Sequence, residues 1–200
     1  MAYSDFDLRT ARERFGLTLV EDLDLFADVA EVEPGEWLRQ MLDEWAPAAL
    51  AMNTEKARSE MIIAPILMEA VRRSGGRLSL FSGIAFDVDR DRGLNGTCDY
   101  LLARSPERYF LDHPVVAVVE AKREDITAGL GQCAAALVAA QAFNARAGDD
   151  HIGPLHGAVS TGSAWRFLRL EGVTTSIDRT EYHLHRVAKI LGILASVAAR

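Results

Sequence analysis

The sequence predicts an α/β domain: a central mixed β-sheet flanked by α-helices on both faces, with an acidic, mainly helical N-terminal extension. Three observations carry this. Helical periodicity comes first along the chain, followed by strand-like segments, one helix, two more strands and a terminal helix, an order that suits a sheet layered between helices. Residues 115–119 form a β-branched run broken only by Ala117, which fits a strand buried on both faces. At 49% hydrophobic and 26% charged, 200 residues suffice for one real core and exclude a disordered chain.

The elements follow in order. Residues 4–15 alternate charged with apolar side chains, as a short strand or helix would. Residues 17–30 place Leu23, Phe26 and Val29 at helical spacing among acids. After the break at Glu33-Pro34-Gly35, residues 36–52 read as a helix with Trp37, Met41, Leu42 and Trp45 on one stripe, ended or bent by Pro47. Asn53 is placed to cap a helix over 54–74, closed by Gly75-Gly76. Its predicted stripe is Ala57, Met61, Ala64, Met68 and Val71, with Glu60 beside it and a kink at Pro65.

The period then changes to that of strands. Residues 78–88 form one bent strand or a pair around Ser82-Gly83, a polar loop covers 89–96, and a strand covers 97–103. A loop over 105–114 leads to the central strand. The helix over 127–146 begins with small residues (Gly129, Gly131, Cys133, Ala134, Ala135 and Ala136) suited to close packing, and Gly148-Asp149-Asp150 ends it. Strands over 155–160 and 164–170 flank the turn Thr161-Gly162-Ser163. Asp178 or Thr180 caps a terminal helix over 181–199 with Leu184, Val187, Ile190, Leu191 and Leu194 inward.

Charge is unevenly placed. The net charge is −7, yet residues 1–60 hold 14 acidic and 6 basic side chains, so the rest is nearly neutral. The division is an N-terminal extension over 1–52, packed on a core over 53–200. The acidic block reads as a solvated face, or as a segment covering or repelling something on one side. Asp5 and Asp7 stand where a signal peptide would be basic and then apolar, the run 190–199 is too short to span a bilayer, and Cys98 and Cys133 form no disulfide framework. The expectation is a cytoplasmic protein with no membrane partner.

The chemistry concentrates in Asp99 and Glu120-Ala121-Lys122. On a strand Glu120 and Lys122 point the same way, at the end of the most hydrophobic strand in the chain. Asp99 reaches them if its strand is a neighbour. Two carboxylates hold a hard cation through oxygen, and a lysine stabilises developing negative charge or orients an attacking water. Other signals fail on spacing. Asp87, Asp89 and Asp91 start like a calcium loop, but Arg92 and Cys98 occupy its glycine and glutamate positions. Gly129-Leu130-Gly131 lacks the third glycine of a dinucleotide fingerprint, and His183 and His185, placed on a helix, share no face. Trp37 and Trp45 read as core or helix seam. Arg72, Arg73 and Arg77, then Arg166 and Arg169, are the candidate phosphate contacts.

In these residues the chain resembles the PD-(D/E)XK nuclease superfamily, the restriction-endonuclease-like fold, and within it a bacterial branch of cyanobacterial type. Asp99 matches its first acid, Glu120 its second and Lys122 its lysine. The resemblance implies a supporting role for Glu60 on the preceding helix and for Gln132 on the following one, and covers about 53–170 by order of elements. Cys98 stands where the superfamily name has proline, and the 21 positions from Asp99 to Glu120 must be absorbed by the 105–114 loop. It implies a hydrolase cutting phosphodiester bonds with Mg2+ or Mn2+ held by Asp99 and Glu120. The partner is nucleic acid, DNA first. The alternative is a catalytically inactive binding or assembly module of the same fold. A homodimer through the small-residue helix or the terminal helix is the expected assembly to test.

Overall fold

A computed structural model describes residues 1–148 and 153–199. Its centre is a seven-stranded mixed sheet flanked by helices. The strands are β1 (Thr18–Val20), β2 (Ser79–Ala85), β3 (Thr97–Ala103), β4 (Val115–Ala121), β5 (Leu155–Ser160), β6 (Ala164–Glu171) and β7 (Thr174–His183), in the spatial order β1-β7-β6-β5-β4-β3-β2. β1 with β7 and β4 with β5 run parallel, and the other pairs are antiparallel. β4 is buried at every position, as its β-branched run predicts. Each large apolar side chain so buried contributes about 1.5–3 kcal/mol.

Six α-helices cover the two faces among the described residues: α1 (Leu8–Phe15), α2 (Glu36–Met52), α3 (Glu55–Arg58), α4 (Ala64–Arg73), α5 (Ile126–Arg146) and α6 (Val187–Ala199). α1 and α5 pack on one face, around Leu101, Val118 and Val159. α2, α4 and α6 pack on the other, around Leu102, Val119 and Phe167. Asp125 caps α5 by accepting from the Thr127 and Ala128 amides. The small residues of α5 permit close approach: a Cβ on Gly131 would lie 2.1 Å from the Asp7 carbonyl carbon, and one on Gly129 would lie 2.5 Å from Val159 Cγ1. α5 is long and apolar enough to cross a membrane, but 67% of its most apolar window is buried within the chain, as in a core helix.

Residues 1–52 enter both cores. Tyr3 and Phe6 are buried on the α5 side, Phe26 and Leu38 on the other, and β1 forms a sheet edge. The inward residues of α5 and of α6 (Ile190, Leu191, Ile193 and Leu194) are covered by the same chain.

Several expectations change. Residues 4–15 hold a short 3-10 turn (Tyr3–Asp5) and then α1, capped by Asp7. Residues 17–30 contain β1 and a turn, because Thr18, Leu19 and Val20 find a partner in β7. α2 continues through Pro47 to Met52, with Leu38, Ala46 and Ala49 inward and Trp37 partly exposed under Arg72, whose guanidinium carbon is 5.2 Å from the ring centroid. Asn53 has left-handed φ (52°) and closes α2; Thr54 caps α3 by accepting from the Ala57 amide. Residues 174–183 are a strand, since Thr174, Thr175, Ile177 and Tyr182 complete the pairing of β6, and α6 starts only at Val187. Asp178 is therefore a buried strand residue, accepting from the Thr180 amide and the Tyr182 hydroxyl. His183 ends that strand, and its ring stacks on His185 at 5.8 Å, so the two do share a side. Of the predicted helix end, Asp149 and Asp150 lie outside the described residues.

The largest correction concerns the helix over 54–74. Between α3 and α4 the chain makes a π turn, Ser59–Ile63. One extra residue enters the turn and shifts the inward face. The buried side chains are Ala57, Ile62, Ile63, Ile66, Leu67 and Ala70, whereas Met68 of the predicted stripe is 41% exposed. Pro65 follows directly on the π turn, where its missing N–H removes one hydrogen bond from the continuous helix.

Candidate metal and phosphodiester site

The β3–β4 pair brings together what the sequence separates. Tyr100 is opposite Val119 and Leu101 opposite Val118, so the 21-residue gap closes into one antiparallel pair and Asp99 comes beside Glu120. The side-chain alternation of β3 breaks at Asp99. Tyr100 and Leu102 face the α4 side, yet Cys98 joins the α5-side core, and the residue across from the break is Gly83, with left-handed φ (63°). Asp99 is thereby turned along the sheet, and its Oδ2 accepts from the Ala121 amide at 2.8 Å.

Glu120 points toward α5 and has no solvent exposure. Its Oε2 accepts from Gln132 Nε2 at 2.6 Å, while Gln132 Oε1 accepts from Lys122 Nζ at 2.9 Å. One amide therefore orients both members of the Glu-x-Lys pair. The second glutamate oxygen, Oε1, is buried with no donor side chain or amide on it, and the Asp99 carboxylate stands close enough to Glu120 to share a proton. Burial pushes the Glu120 carboxyl well above its ordinary range, the adjacent Asp99 pushes it further, and Lys122 pulls the other way. A buried, half-satisfied carboxylate is costly and suits a site where a cation completes it. The Lys122 stem lies against α5 where Gly129 leaves room, since a Cβ there would meet Lys122 Cγ at 3.1 Å.

Asp99 opens onto a cavity of about 260 Å³ between β2–β3 and the α3–π segment. Glu55, Lys56, Ser59 and Glu60 line its helical wall; Ser82, Tyr100 and Ala121 join Asp99 on the sheet side. The Tyr100 hydroxyl donates to the Ser59 carbonyl at 3.0 Å and shares a 2.6 Å hydrogen bond with Ser59 Oγ, latching the walls together. Glu60 is a rim residue. Its side chain is 63% exposed and lies 3.6 Å from Lys56 Nζ.

Asp99, Glu120, Lys122 and Gln132 thus form one connected group, and Glu60 shares the cavity without bonding to them. Sequence reasoning missed Glu55, Lys56, Ser59 and Tyr100. Glu55, Lys56, Ser59 and Glu60 stand at i, i+1, i+4 and i+5, so they form one helical face turned to the cavity. The candidate phosphate contacts have local partners: Arg72 and Arg73 bind buried Glu69, Arg77 binds the Ser74 carbonyl, Arg166 pairs with Glu181 and Arg169 with Glu171. Burial pushes both the Cys98 and Cys133 thiols up, with Glu120 adding to it, so neither supplies a thiolate. Among the described residues no three His, Cys, Asp or Glu side chains converge as metal ligands.

No family model, curated protein or solved structure matches the chain.

Proposed function

We propose that the protein hydrolyses phosphodiester bonds in nucleic acid, DNA first, with Mg2+ or Mn2+, on a restriction-endonuclease-like core. The observation that carries this reading is the Asp99–Glu120 pair, with one glutamate oxygen buried, no donor side chain or amide on it, beside a lysine held by Gln132. The donor set fits the ion. Two carboxylates suit a hard cation that keeps waters and takes phosphate oxygens, whereas a structural zinc or calcium cage needs a fuller protein set than the described residues bring together.

Asp99 and Glu120 would hold the cation. When bound, such an ion supplies Lewis-acid charge at the phosphoryl group and acidifies water. The rest is done by the chain. Gln132 fixes Glu120 Oε2, which leaves Oε1 free for the site, and the same amide aims the Lys122 ammonium at the negative charge that develops on the phosphate. Glu60 and Glu55 make the cavity acidic, so an anionic substrate enters favourably only with a cation present.

Incubating plasmid and oligonucleotide substrates with the protein in Mg2+ or Mn2+ tests the proposal. Cleavage is expected, abolished by EDTA and by Lys122→Ala. Intact substrate in both metals, or an unchanged rate in Lys122→Ala, would overturn it.

A further inference from the structure

Besides the Tyr100–Ser59 latch, the helical wall of the cavity is held by one arginine. Arg58, the last residue of α3, is half-buried and donates to two other segments, the α2 end at Asn53 and the turn 161–163. Nε and Nη2 donate to Asn53 Oδ1 at 3.1 and 2.9 Å. Nη1 donates to the Thr161 carbonyl at 2.8 Å and to Ser163 Oγ at 3.3 Å. Asn53 passes the tie on, since its Nδ2 donates to Glu124 Oε1 at 2.9 Å.

Both ends of this network border Lys122. Glu124 is two residues beyond it, and the Lys122 amide donates at 2.8 Å to the carbonyl of Ser160, the residue before Thr161. On its other side Arg58 leads directly into the π turn that presents Ser59 to Tyr100 and Glu60 to the cavity. These hydrogen bonds to Asn53, Thr161 and Ser163 are all to neutral acceptors, so what the guanidinium contributes through them is a fixed geometry among segments. Its planar fork suits that role, and a lysine has only one nitrogen to offer.

We propose that Arg58 is a positioning residue: it sets the separation between the helical wall carrying Glu55 and Glu60 and the strands carrying Asp99, Glu120 and Lys122. The inference rests on the metal-dependent reading above. Its test compares wild type with Arg58→Lys, Arg58→Gln and, as a structural control, Asn144→Ala. Asn144 clamps the far end of β4, accepting from the Val115 amide at 2.9 Å and donating to its carbonyl at 2.8 Å. Mg2+ affinity is measured by calorimetry on metal-free protein, alongside Tm and the kcat and KM for an oligonucleotide.

Both position-58 variants are expected to lose about 10-fold or more in Mg2+ affinity and in kcat, with KM for the oligonucleotide little changed, as for other residues that orient metal ligands. Asn144→Ala lowers Tm and leaves the Mg2+ affinity in place. Wild-type Mg2+ affinity and kcat in Arg58→Lys would overturn the positioning role while the metal reading stands, as would losses that track Tm equally in all three variants. A wild type that neither binds Mg2+ nor cleaves overturns the metal reading and this role with it. If neither position-58 variant folds, Glu124→Ala cuts the same tie from the exposed side. About a 3-fold loss of Mg2+ affinity there supports the role, and no loss overturns it.

Discussion

The two walls of the cavity are built in opposite ways. The strand side, with Asp99 on the cavity and Glu120, Lys122 and Gln132 behind it toward α5, is joined by short hydrogen bonds around a fully buried Glu120. The helical wall (Glu55, Lys56, Ser59, Glu60) is exposed and rests on a π turn, a tyrosine latch and one arginine. The difference divides the work. Under the proposed function, chemistry that needs a fixed charge geometry belongs to the strands, whereas the helix shapes and charges the opening.

Substitutions can break that division. The largest expected effect is on the strand side: if Lys122 acts on the transition state as proposed, Lys122→Met lowers kcat by about 10²–10³-fold while KM changes little. Glu60→Gln on the rim, measured the same way, lowers kcat/KM by less than about 10-fold; an effect equal to that of Lys122→Met would erase the distinction between walls.

Stability gives the next test. Glu120 is raised in the folded state, so it binds its proton more tightly there than in the unfolded chain. Its contribution is fully present below the ordinary glutamate range and is lost as pH rises through the raised value. In EDTA the wild type therefore melts at a lower temperature at pH 8 than at mildly acidic pH. Glu120→Gln flattens that dependence and stabilises the metal-free protein at pH 8 by roughly 1–3 kcal/mol, since an amide in place of the buried charge can donate to Asp99. A wild-type Tm that rises steadily with pH in EDTA contradicts the assignment. The smallest effect is expected at Asp125, the cap of α5, where Asp125→Ala costs about 1 kcal/mol in urea unfolding.

The same contrast explains what the sequence made legible. Strands 97–103, 155–160 and the core of β4 could be read directly, because β-branched alternation and bounding turns act locally. The Glu-x-Lys face followed from the two-residue period of a strand. What could not be read depended on distant partners. β1 and β7 are strands because each completes the other, and Leu23, Phe26 and Val29 mimic a helix only in spacing. The inward face of residues 54–74 was displaced by a single inserted residue that no α-periodicity encodes, which turned Ile62 and Ile63 inward and Met68 outward. The acidic balance of residues 1–60 also reads differently in three dimensions. Two of its carboxylates, Glu55 and Glu60, line the cavity, so part of that charge belongs to the site.

The central claim is that Asp99 and Glu120 converge on one cation. A crystal structure grown with Mn2+, with anomalous difference density, tests it directly. One peak within bonding distance of both carboxylates, with Glu120 Oε1 among its ligands, is the predicted result. A carboxylate pair that stays empty in saturating Mn2+, or a peak elsewhere on the surface alone, would contradict it.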